Sequence, residues 1–457
     1  MTDTVYDMVI LGAGSGGYAA ALRGAQLGLR VALIEADKIG GTCLHRGCVP
    51  TKAILHSAET AEAVREAAAV GVRAAYQGLD MPAVQRYKNG VISRMYKGLQ
   101  GLVASRGIEV VGGWGRLVAR DTVEVSGRRY RGRNIVLATG SLSKTMGQEI
   151  SGPVMTSDQA LELDRVPASA VVLGGGVIGV ELASAWASMG SQVTIIEALP
   201  HLVPNEDVAI SKQLERAFRK RRIAFRTSTM FDSVERTAAG VTVRTADGRT
   251  HDAEVLLIAV GRGPATANLG YEEVGVAMDR GFVLTDDYGR TNVEGVWAVG
   301  DIVPGVQLAH RGFAQGIAVA EKIAGLDPRP VDDALVPKVT FCEPEIASVG
   351  LSEARAAELH GAENITTSEF NVAGNAKSQI LGTQGFVKLV SLKDGPIVGF
   401  HAIGARMGEQ VGEGQLIVSW EADAHDVASL VHAHPTQNET IGEAAMVLAG
   451  KPLHNHG

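Results

Sequence analysis

The chain has 457 residues, of which 46% are hydrophobic and 56 are glycine, and it carries a formal charge of −7 with a pI near 6.0. This length and composition predict a soluble protein of roughly two to four domains with a large core and many tight turns. The acidic balance excludes a basic field for nucleic acid, and the longest apolar runs, such as residues 8–22, are too short and too glycine-rich to span a bilayer. Because no basic region or cleavage signature precedes residue 10, we expect a cytoplasmic protein without a signal peptide.

The chain begins with a strand, a glycine turn and a helix in the order that a dinucleotide site requires. Residues 5–11 read as a buried strand and residues 18–27 as an alanine-rich helix, and the turn between them contains Gly12, Gly14 and Gly17. A second apolar strand over residues 31–34 ends at Glu35, 23 residues after Gly12. In such a unit the glycines let the backbone approach a pyrophosphate at the helix N-terminus, and the acid accepts hydrogen bonds from a ribose.

Two of the three cysteines follow directly, with four residues between Cys43 and Cys48. The first hypothesis is a disulfide that opens and closes, because a disulfide in a reducing cytosol is more often catalytic than structural. In a regular helix, Cα atoms five residues apart lie roughly 8 to 9 Å from each other, beyond the disulfide limit of about 7 Å. The segment must therefore be locally unwound, and Gly47 and Pro50 suit that distortion. The alternative is a pair of buried structural thiols.

The strand, turn and helix recur 162 residues later. Strands over residues 171–173 and 193–196 flank a helix over residues 181–189, the turn contains Gly174, Gly176 and Gly179, and the second strand ends at Glu197. Two dinucleotide sites with a dithiol between them indicate an electron path that joins a nicotinamide, a flavin and a disulfide. A carboxylate at Glu197 bonds two ribose hydroxyls and repels a 2′-phosphate, and no arginine follows it closely, so NAD is favoured over NADP. The alternative for Glu197 is a solvated strand end.

A proline-rich linker over residues 326–337 predicts the start of a last domain. In that domain we predict strands over residues 339–341, 386–390 and 398–403 and helices over residues 410–420 and 426–431. The third cysteine, Cys342, is interpreted as a core residue rather than a redox group.

Together with the two Rossmann-like units, the stretch from Gly41 to Lys52 resembles the class I pyridine nucleotide-disulfide oxidoreductases. Further segments extend the resemblance over nearly the whole chain: Ala138-Thr139-Gly140, Ala259-Val260-Gly261-Arg262, Val299-Gly300-Asp301, Gln307-Leu308-Ala309-His310 and His432-Ala433-His434-Pro435-Thr436-Gln437-Asn438-Glu439. One departure lies at residues 141–152, where relatives commonly carry a Pro-Gly pair. We expect a differently shaped connection there, without an effect on the chemistry.

The resemblance implies an α/β fold with two Rossmann-like dinucleotide-binding domains, for FAD and NAD, and a C-terminal α+β dimerisation domain. The implied boundaries are residues 1–150 for the FAD-binding domain, 151–274 for the NAD-binding domain, 275–335 for a return segment that completes the FAD and central region, and 336–457 for the dimerisation domain. The implied activity is oxidation of dihydrolipoamide to lipoamide with reduction of NAD⁺. The implied partners are a second copy of the chain and the lipoyl-bearing proteins of 2-oxo acid dehydrogenase or glycine cleavage complexes.

The resemblance also assigns roles to residues. Cys43 would be the interchange thiol and Cys48 the thiol against the flavin, with Lys52 beside flavin N5 and paired with Glu181; the alternative for Lys52 and Glu181 is two surface charges. His434 would be the base, and Glu439 would hold its other ring nitrogen, whereas His432 neither precedes a proline nor stands five residues before the glutamate. The further predicted cofactor contacts are Thr42, Gly115, Thr139, Gly140, Asp301, Gln307, Leu308, Ala309, His310, Phe231 and Gly261, of which Asp301 would bond the flavin ribityl chain, Gly115 the FAD adenine and Phe231 the NAD adenine.

Two other functions stay open. Another disulfide reductase or a soluble transhydrogenase of the same family is one, and a flavin-loaded structural subunit without activity is the other. An enzyme is favoured by the joint presence of six chemical residues, for all of which a pure binding module has no physical need: Cys43, Cys48, Lys52, Glu181, His434 and Glu439. No metal site is predicted.

Overall fold

The structure of the protein is a computed structural model, and it describes residues Val5–Asn455. The chain falls into two compact units. The first unit comprises residues 1–54, 82–144 and 261–333, and the second comprises residues 55–81, 145–260 and 334–457.

The helices and strands follow in chain order. Up to residue 144 they are β1 (Val5–Leu11), α1 (Ser15–Gln26), β2 (Val31–Glu35), α2 (Gly41–Arg46), α3 (Cys48–Glu66), α4 (Met81–Ser105), β3 (Glu109–Gly112), β4 (Gly115–Ala119), β5 (Thr122–Val125), β6 (Arg128–Leu137) and β7 (Ser141–Ser143). From residue 145 to 260 they are β8 (Val154–Met155), α5 (Ser157–Ala160), β9 (Ser169–Leu173), α6 (Val177–Met189), β10 (Gln192–Ile196), α7 (Val208–Lys220), β11 (Ala224–Arg226), β12 (Phe231–Thr237), β13 (Gly240–Thr245), β14 (Thr250–Ala253) and β15 (Val255–Ile258).

The remaining elements complete both units. From residue 261 to 333 they are β16 (Arg262–Pro264), β17 (Met278–Asp279), β18 (Phe282–Val283), β19 (Val296–Ala298) and α8 (Ala309–Ile323). From residue 334 onward they are β20 (Lys338–Thr340), β21 (Glu345–Gly350), α9 (Glu353–His360), β22 (Ile365–Asn371), α10 (Ala376–Leu381), β23 (Phe386–Leu392), β24 (Ile397–Gly404), α11 (Met407–Ser419), α12 (Ala424–Ala428) and α13 (Glu439–Leu448).

The first unit is built on a seven-stranded sheet in the order β3-β2-β1-β6-β5-β4, with β19 also paired to β6. Strands β1, β2, β3, β6 and β19 are parallel, whereas β4 and β5 join antiparallel. Strand β1 is apolar along its length because both faces are covered: Val9 and Leu11 enter one core cluster, and Met8 and Ile10 enter another. The predicted strand over residues 5–11 is confirmed.

The second unit contains three sheets. A parallel sheet in the order β11-β10-β9-β15-β8 is the second Rossmann-like sheet, and β12, β13 and β14 form a small antiparallel sheet. The antiparallel sheet β20-β21-β24-β23-β22 forms the core of the last domain with α11 and α13. This arrangement confirms the predicted fold class, and the four predicted domain boundaries stay predictions.

Several predicted boundaries need correction. Helices α1 and α6 begin at Ser15 and Val177, three and four residues earlier than predicted, because glycines of the turn already belong to the first helical turn. The predicted helix over residues 426–431 is α12, which ends at Ala428. The apolar residues Leu430 and Val431 misled the prediction, since both are exposed rather than packed.

Cys342 lies after β20 and is buried, with its thiol donating to the carbonyl of Pro344 at 3.2 Å. This burial agrees with its interpretation as a core residue. Between Val5 and Asn455, no helix is both long enough and apolar enough to cross a membrane.

Candidate active site

The first glycine turn brings helix α1 very close to the end of strand β6. Gly12 has φ +100°, and a Cβ placed on it would lie 2.4 Å from the carbonyl oxygen of Ala138. A Cβ on Gly17 would lie 1.8 Å from the carbonyl oxygen of Gly12, so neither position accepts a larger residue. By contrast, a Cβ on Gly14, at the N-terminus of α1, would meet open space, and no acidic side chain occupies the first turn of that helix. The turn therefore has the room and the polarity that a pyrophosphate needs.

Glu35 is fixed across this turn by two backbone hydrogen bonds. Its carboxylate accepts from the amide of Ala13 at 2.7 Å and from the amide of Asp37 at 2.9 Å. The remaining lone pairs lie at the carboxyl end of β2, where the ribose of a dinucleotide binds in this type of fold.

The second turn repeats this geometry in the second unit. Gly174 has φ +101°, and a Cβ on it would lie 2.4 Å from the carbonyl oxygen of Ala259. Glu197 accepts from the amide of Gly175 at 2.6 Å and from the amide of Leu199 at 2.7 Å. With 7% of its surface exposed, Glu197 is not a solvated strand end, and the predicted internal repeat is confirmed in its local structure.

The two cysteines lie on either side of a helix break. Helix α2 ends at Arg46, Gly47 adopts φ −138° and ψ −111°, and α3 begins at Cys48. This confirms the predicted unwinding at Gly47. Pro50 does not break the helix, since it lies in the first turn of α3, where proline needs no intrahelical partner.

The break brings the two thiol groups together. Cys43 and Cys48 are both present as thiols and are hydrogen-bonded to each other. This hydrogen bond, together with burial, raises the pKa of Cys43 well above its usual value, while the nearby charge of Lys52 acts in the opposite direction.

Tyr18 is a neighbour of Cys43 that the sequence analysis missed. It lies on α1, and its ring packs against Phe313 of α8 with 5.4 Å between ring centroids. Burial, with the charge of Cys43 as a second cause, raises the pKa of the Tyr18 hydroxyl to about 12. The signal for it in the sequence is a phenol directly after Gly17, followed by three alanines in the same helix.

Asp301 is held by a chain of hydrogen bonds that begins in the segment after β6. The Ser141 hydroxyl donates to Asp301 Oδ2 at 2.5 Å and accepts from Arg262 Nε at 2.8 Å. Arg262 also donates to the Ser141 carbonyl at 2.7 Å and to the Ser143 hydroxyl at 3.1 Å. The segment at residues 141–152 therefore contacts a predicted cofactor residue, and the expectation that it has no effect on the chemistry stays a prediction.

The other predicted cofactor residues are divided between the two units. In the first unit, Thr139 donates to the carbonyl of Ala265 at 2.7 Å, and Gln307 donates to that of Asp301 at 3.4 Å. Also in this unit are Thr42 in α2, Lys52 in α3, Gly115 at the start of β4, Gly140 and Gly261 with positive φ, and Leu308, Ala309 and His310 at the start of α8. The second unit contains Gly176, Gly179 and Phe231, and Phe231 is the first residue of β12 and packs against the core of that unit.

Glu181 lies on α6 in the second unit and is 3% exposed. Its carboxylate accepts from the amide of Phe341 at 2.9 Å, which ties α6 to the last domain. Lys52 belongs to the first unit, and its pairing with Glu181 stays a prediction.

His434 and Glu439 form the predicted pair. His434 Nδ1 lies 2.7 Å from Glu439 Oε1, and the other oxygen of Glu439 accepts from the amide of Thr436 at 2.8 Å. Burial alone would raise the pKa of Glu439, but the hydrogen bonds from Thr436 and His434 outweigh it and lower that pKa. Since the His434 side chain is 71% exposed, Nε2 is open to a substrate.

Comparison with known proteins places these features in a family. Two family models match the chain, pyridine nucleotide-disulphide oxidoreductase over residues 6–316 and its dimerisation domain over residues 336–445. A dihydrolipoyl dehydrogenase of Bacillus subtilis is 37% identical and aligns with 99% of this chain and 99% of its own.

Solved structures agree with this match. LpdA from Mycobacterium tuberculosis has a TM-score of 0.90 at 26% identity, covering 96% of this chain and 99% of its own. The HOCl-induced flavoprotein disulfide reductase RclA from Escherichia coli has a TM-score of 0.87 at 27% identity, covering 97% of this chain and 100% of its own. The chain therefore belongs to the pyridine nucleotide-disulphide oxidoreductase family, with FAD and NAD as its cofactors.

Proposed function

We propose that this protein oxidises dihydrolipoamide to lipoamide and reduces NAD⁺ to NADH, with Cys43 and Cys48 as its redox pair. The observation that carries the proposal is the helix break at Gly47, which brings the two thiols within hydrogen-bonding reach of each other. Similarity to a dihydrolipoyl dehydrogenase along nearly the whole chain supports this substrate over other disulfides.

The oxidation removes two electrons and two protons from the substrate. His434 takes the proton of one substrate thiol, and the resulting thiolate attacks Cys43 Sγ in the oxidised pair. The Cys43–Cys48 bond breaks, Cys48 leaves as a thiolate, and a mixed disulfide forms at Cys43. The second substrate thiol then gives up its proton, its sulfur attacks the first and closes the lipoamide ring, and Cys43 Sγ leaves and takes that second proton. FAD, when bound, carries the electron pair from the reduced cysteines to NAD⁺.

The chain's own groups prepare each proton transfer. The ionised Glu439 carboxylate holds Nδ1–H of His434, so that Nε2 carries the lone pair that accepts the substrate proton. Lys52 lies close enough to Cys43 to favour negative charge on the cysteine pair. We expect His434 of the partner subunit to serve the cysteines of the first subunit, as the family resemblance implies.

The two glycine turns would bind the two cofactors. We infer that Gly12, Gly14, Gly17 and Glu35 hold FAD together with Asp301, because the open space at Gly14 and the fixed carboxylate fit a pyrophosphate and a ribose. In the same way, Gly174, Gly176, Gly179 and Glu197 would hold NAD. A Cβ on Gly176 would also meet open space, at the N-terminus of α6.

The match to the family's dimerisation domain over residues 336–445 supports a homodimer. We infer that the protein partners are lipoyl-bearing components of 2-oxo acid dehydrogenase or glycine cleavage complexes, since these carry the proposed substrate group. The cytoplasmic location predicted from the sequence stays a prediction.

Reduction of another disulfide is the second candidate function. It is favoured by the similarity to RclA, an HOCl-induced flavoprotein disulfide reductase. Steady-state turnover with dihydrolipoamide and NAD⁺, measured beside turnover with NADPH and glutathione disulfide, separates the candidates. We expect fast reaction only with the first pair. If neither pair reacts while NADH still bleaches the flavin, the lipoamide assignment is wrong and the second candidate takes its place.

A further inference from the structure

His432, two residues before the proposed base, has a carboxylate partner of its own. Its Nε2 lies 2.7 Å from Glu413 Oε1, and the two side chains are 12% and 23% exposed. The sequence analysis gave His432 no role. Its partner lies 19 residues upstream on α11, where spacing along the tail does not reveal it.

Glu413 also holds the start of the helix that carries Glu439. Its second oxygen accepts from Asn438 Nδ2 at 2.7 Å, and Asn438 is the residue directly before the first residue of α13, Glu439. The Asn438 side chain therefore does not cap its own helix; it fixes the helix start to α11 instead.

The His432 ring lies directly on the backbone of α13. A Cβ on Gly442, three residues after Glu439, would lie 2.7 Å from His432 Nδ1 and 2.9 Å from Cε1. Only glycine leaves room for this contact. His432 is thus clamped between Glu413 on one side and the first turn of α13 on the other.

The charges of His432 and of its neighbouring carboxylates stabilise each other. The hydrogen bond to Glu413 raises the pKa of His432, against the effect of burial, and the charges of Glu413 and Glu439 act in the same direction as the hydrogen bond. Burial would raise the pKa of Glu413, but its bonds to His432 and Asn438 lower it. The charged groups that act on His432 are Glu413 on α11, which is hydrogen-bonded to it, and Glu439 on α13, so a protonated His432 is stabilised by both carboxylates.

We propose that His432 is a positioning residue for the His434–Glu439 pair. Its positive charge, held by Glu413, keeps Glu439 ionised and the first turn of α13 fixed, so that His434 presents Nε2 to the substrate thiol. This inference rests on the proposed function, because the reaction that it concerns is the proton transfer from dihydrolipoamide to His434.

The test is the pH profile of kcat and kcat/KM for dihydrolipoamide oxidation by the holoenzyme, across the range in which histidine titrates. His432→Gln should lower kcat by about tenfold, less than the roughly 10²- to 10⁴-fold loss expected for His434→Gln. It should also move the acid limb of the profile, where the rate falls as His434 gains a proton, to higher pH by about half a unit. The reason is that a neighbouring cation no longer opposes protonation of His434. Glu413→Gln keeps the shape and the hydrogen-bonding groups but removes the counter-charge that holds the His432 proton. Its kcat should therefore also fall, whereas its acid limb should move less than that of His432→Gln, because a cation and an anion are lost together.

His454→Gln is the matched control. His454 Nδ1 lies 2.7 Å from Glu443 Oε1, so the chain offers a second histidine–carboxylate pair, with its carboxylate on α13, the helix that carries Glu439. Since Glu439 is not its partner, this variant should leave the acid limb in place. A purely structural role of His432 would change the thermal midpoint or the flavin content without moving the limb.

The outcomes separate the two proposals. If wild-type protein does not oxidise dihydrolipoamide, the proposed function is wrong and this inference falls with it. If wild-type protein is active but the limb stays in place in His432→Gln, only the inference is overturned. Should His432→Gln fail to fold, Glu413→Gln decides, since an unchanged kcat in that variant overturns the inference.

Discussion

Ser141→Ala tests the hydrogen-bond chain that holds Asp301. The Ser141 side chain is 6% exposed, and its hydroxyl joins Arg262 Nε, at 2.8 Å, to Asp301 Oδ2, at 2.5 Å. Removal of the hydroxyl leaves the Asp301 oxygen without this donor. Arg262 keeps its bonds to the Ser141 carbonyl and to Ser143, so the loss falls mainly on Asp301.

The size of the effect follows from the charge of that partner. A hydrogen bond to a charged group contributes about 1.5 to 3 kcal/mol. Without it, the half-buried Asp301 turns toward water in the free protein, and binding of FAD must restore its orientation. If Asp301 contacts FAD as proposed, the binding free energy of FAD should weaken by about this amount. Its Kd should then rise roughly 10- to 150-fold.

Titration of apoprotein with FAD, followed by quenching of flavin fluorescence, measures this Kd. Ser143→Ala is the control, because it removes only the longer contact to Arg262, at 3.1 Å, and should change Kd by less than about threefold. An unchanged Kd in Ser141→Ala, with the apoprotein still folded, would refute the reasoning, since Asp301 would then be oriented by other contacts.

Three further outcomes are expected. Cys48→Ser should abolish dihydrolipoamide oxidation while FAD absorbance is retained, because Cys43 then has no partner for a disulfide; continued turnover would contradict the redox pair. Glu197→Ala should lower the ratio of kcat/KM for NAD to that for NADP by roughly tenfold or more, since a buried acceptor that repels a 2′-phosphate is lost; an unchanged ratio would refute that role. Burial lowers the pKa of His401 from 6.5 to about 4. As the pH falls from 6.5 to about 4, the unfolded chain therefore binds a proton at this histidine before the folded protein does, and the free energy of unfolding falls by about 3 kcal/mol. Denaturant unfolding at about pH 7 and about pH 4.5 should show that His401→Gln loses less of its free energy of unfolding between the two pH values than wild type does. Equal losses would show that His401 does not cause this pH dependence.

Features that depend on neighbouring residues could be predicted from the sequence. The glycine turns at Gly12 and Gly174 follow from spacing, because only glycine permits their φ and the close approach of the next strand. The acids Glu35, at the end of β2, and Glu197, after β10, could also be predicted from their spacing, as could the helix break at Gly47. In each case the deciding atoms belong to one turn or to the strand beside it.

Element boundaries were predicted less well. The prediction extended α12 through Leu430 and Val431, because apolar side chains indicate a packed face, yet both residues are exposed in the structure. Whether an apolar residue is buried depends on what the rest of the chain places against it, and a local pattern does not contain that information.

The contacts made by Ser141 and His432 were decided only by the tertiary structure. Ser141 and Asp301 are 160 residues apart in the chain, and β19 brings them together by pairing with β6 in the first sheet. His432 meets Glu413 because α11 and α13 pack into one core. The sequence by itself determined the local chemistry, namely the thiols, the glycine turns and the His434–Glu439 spacing. The sheet order and helix packing decided which distant side chains orient those groups, because hydrogen bonds between remote segments exist only once the backbone between them has been placed.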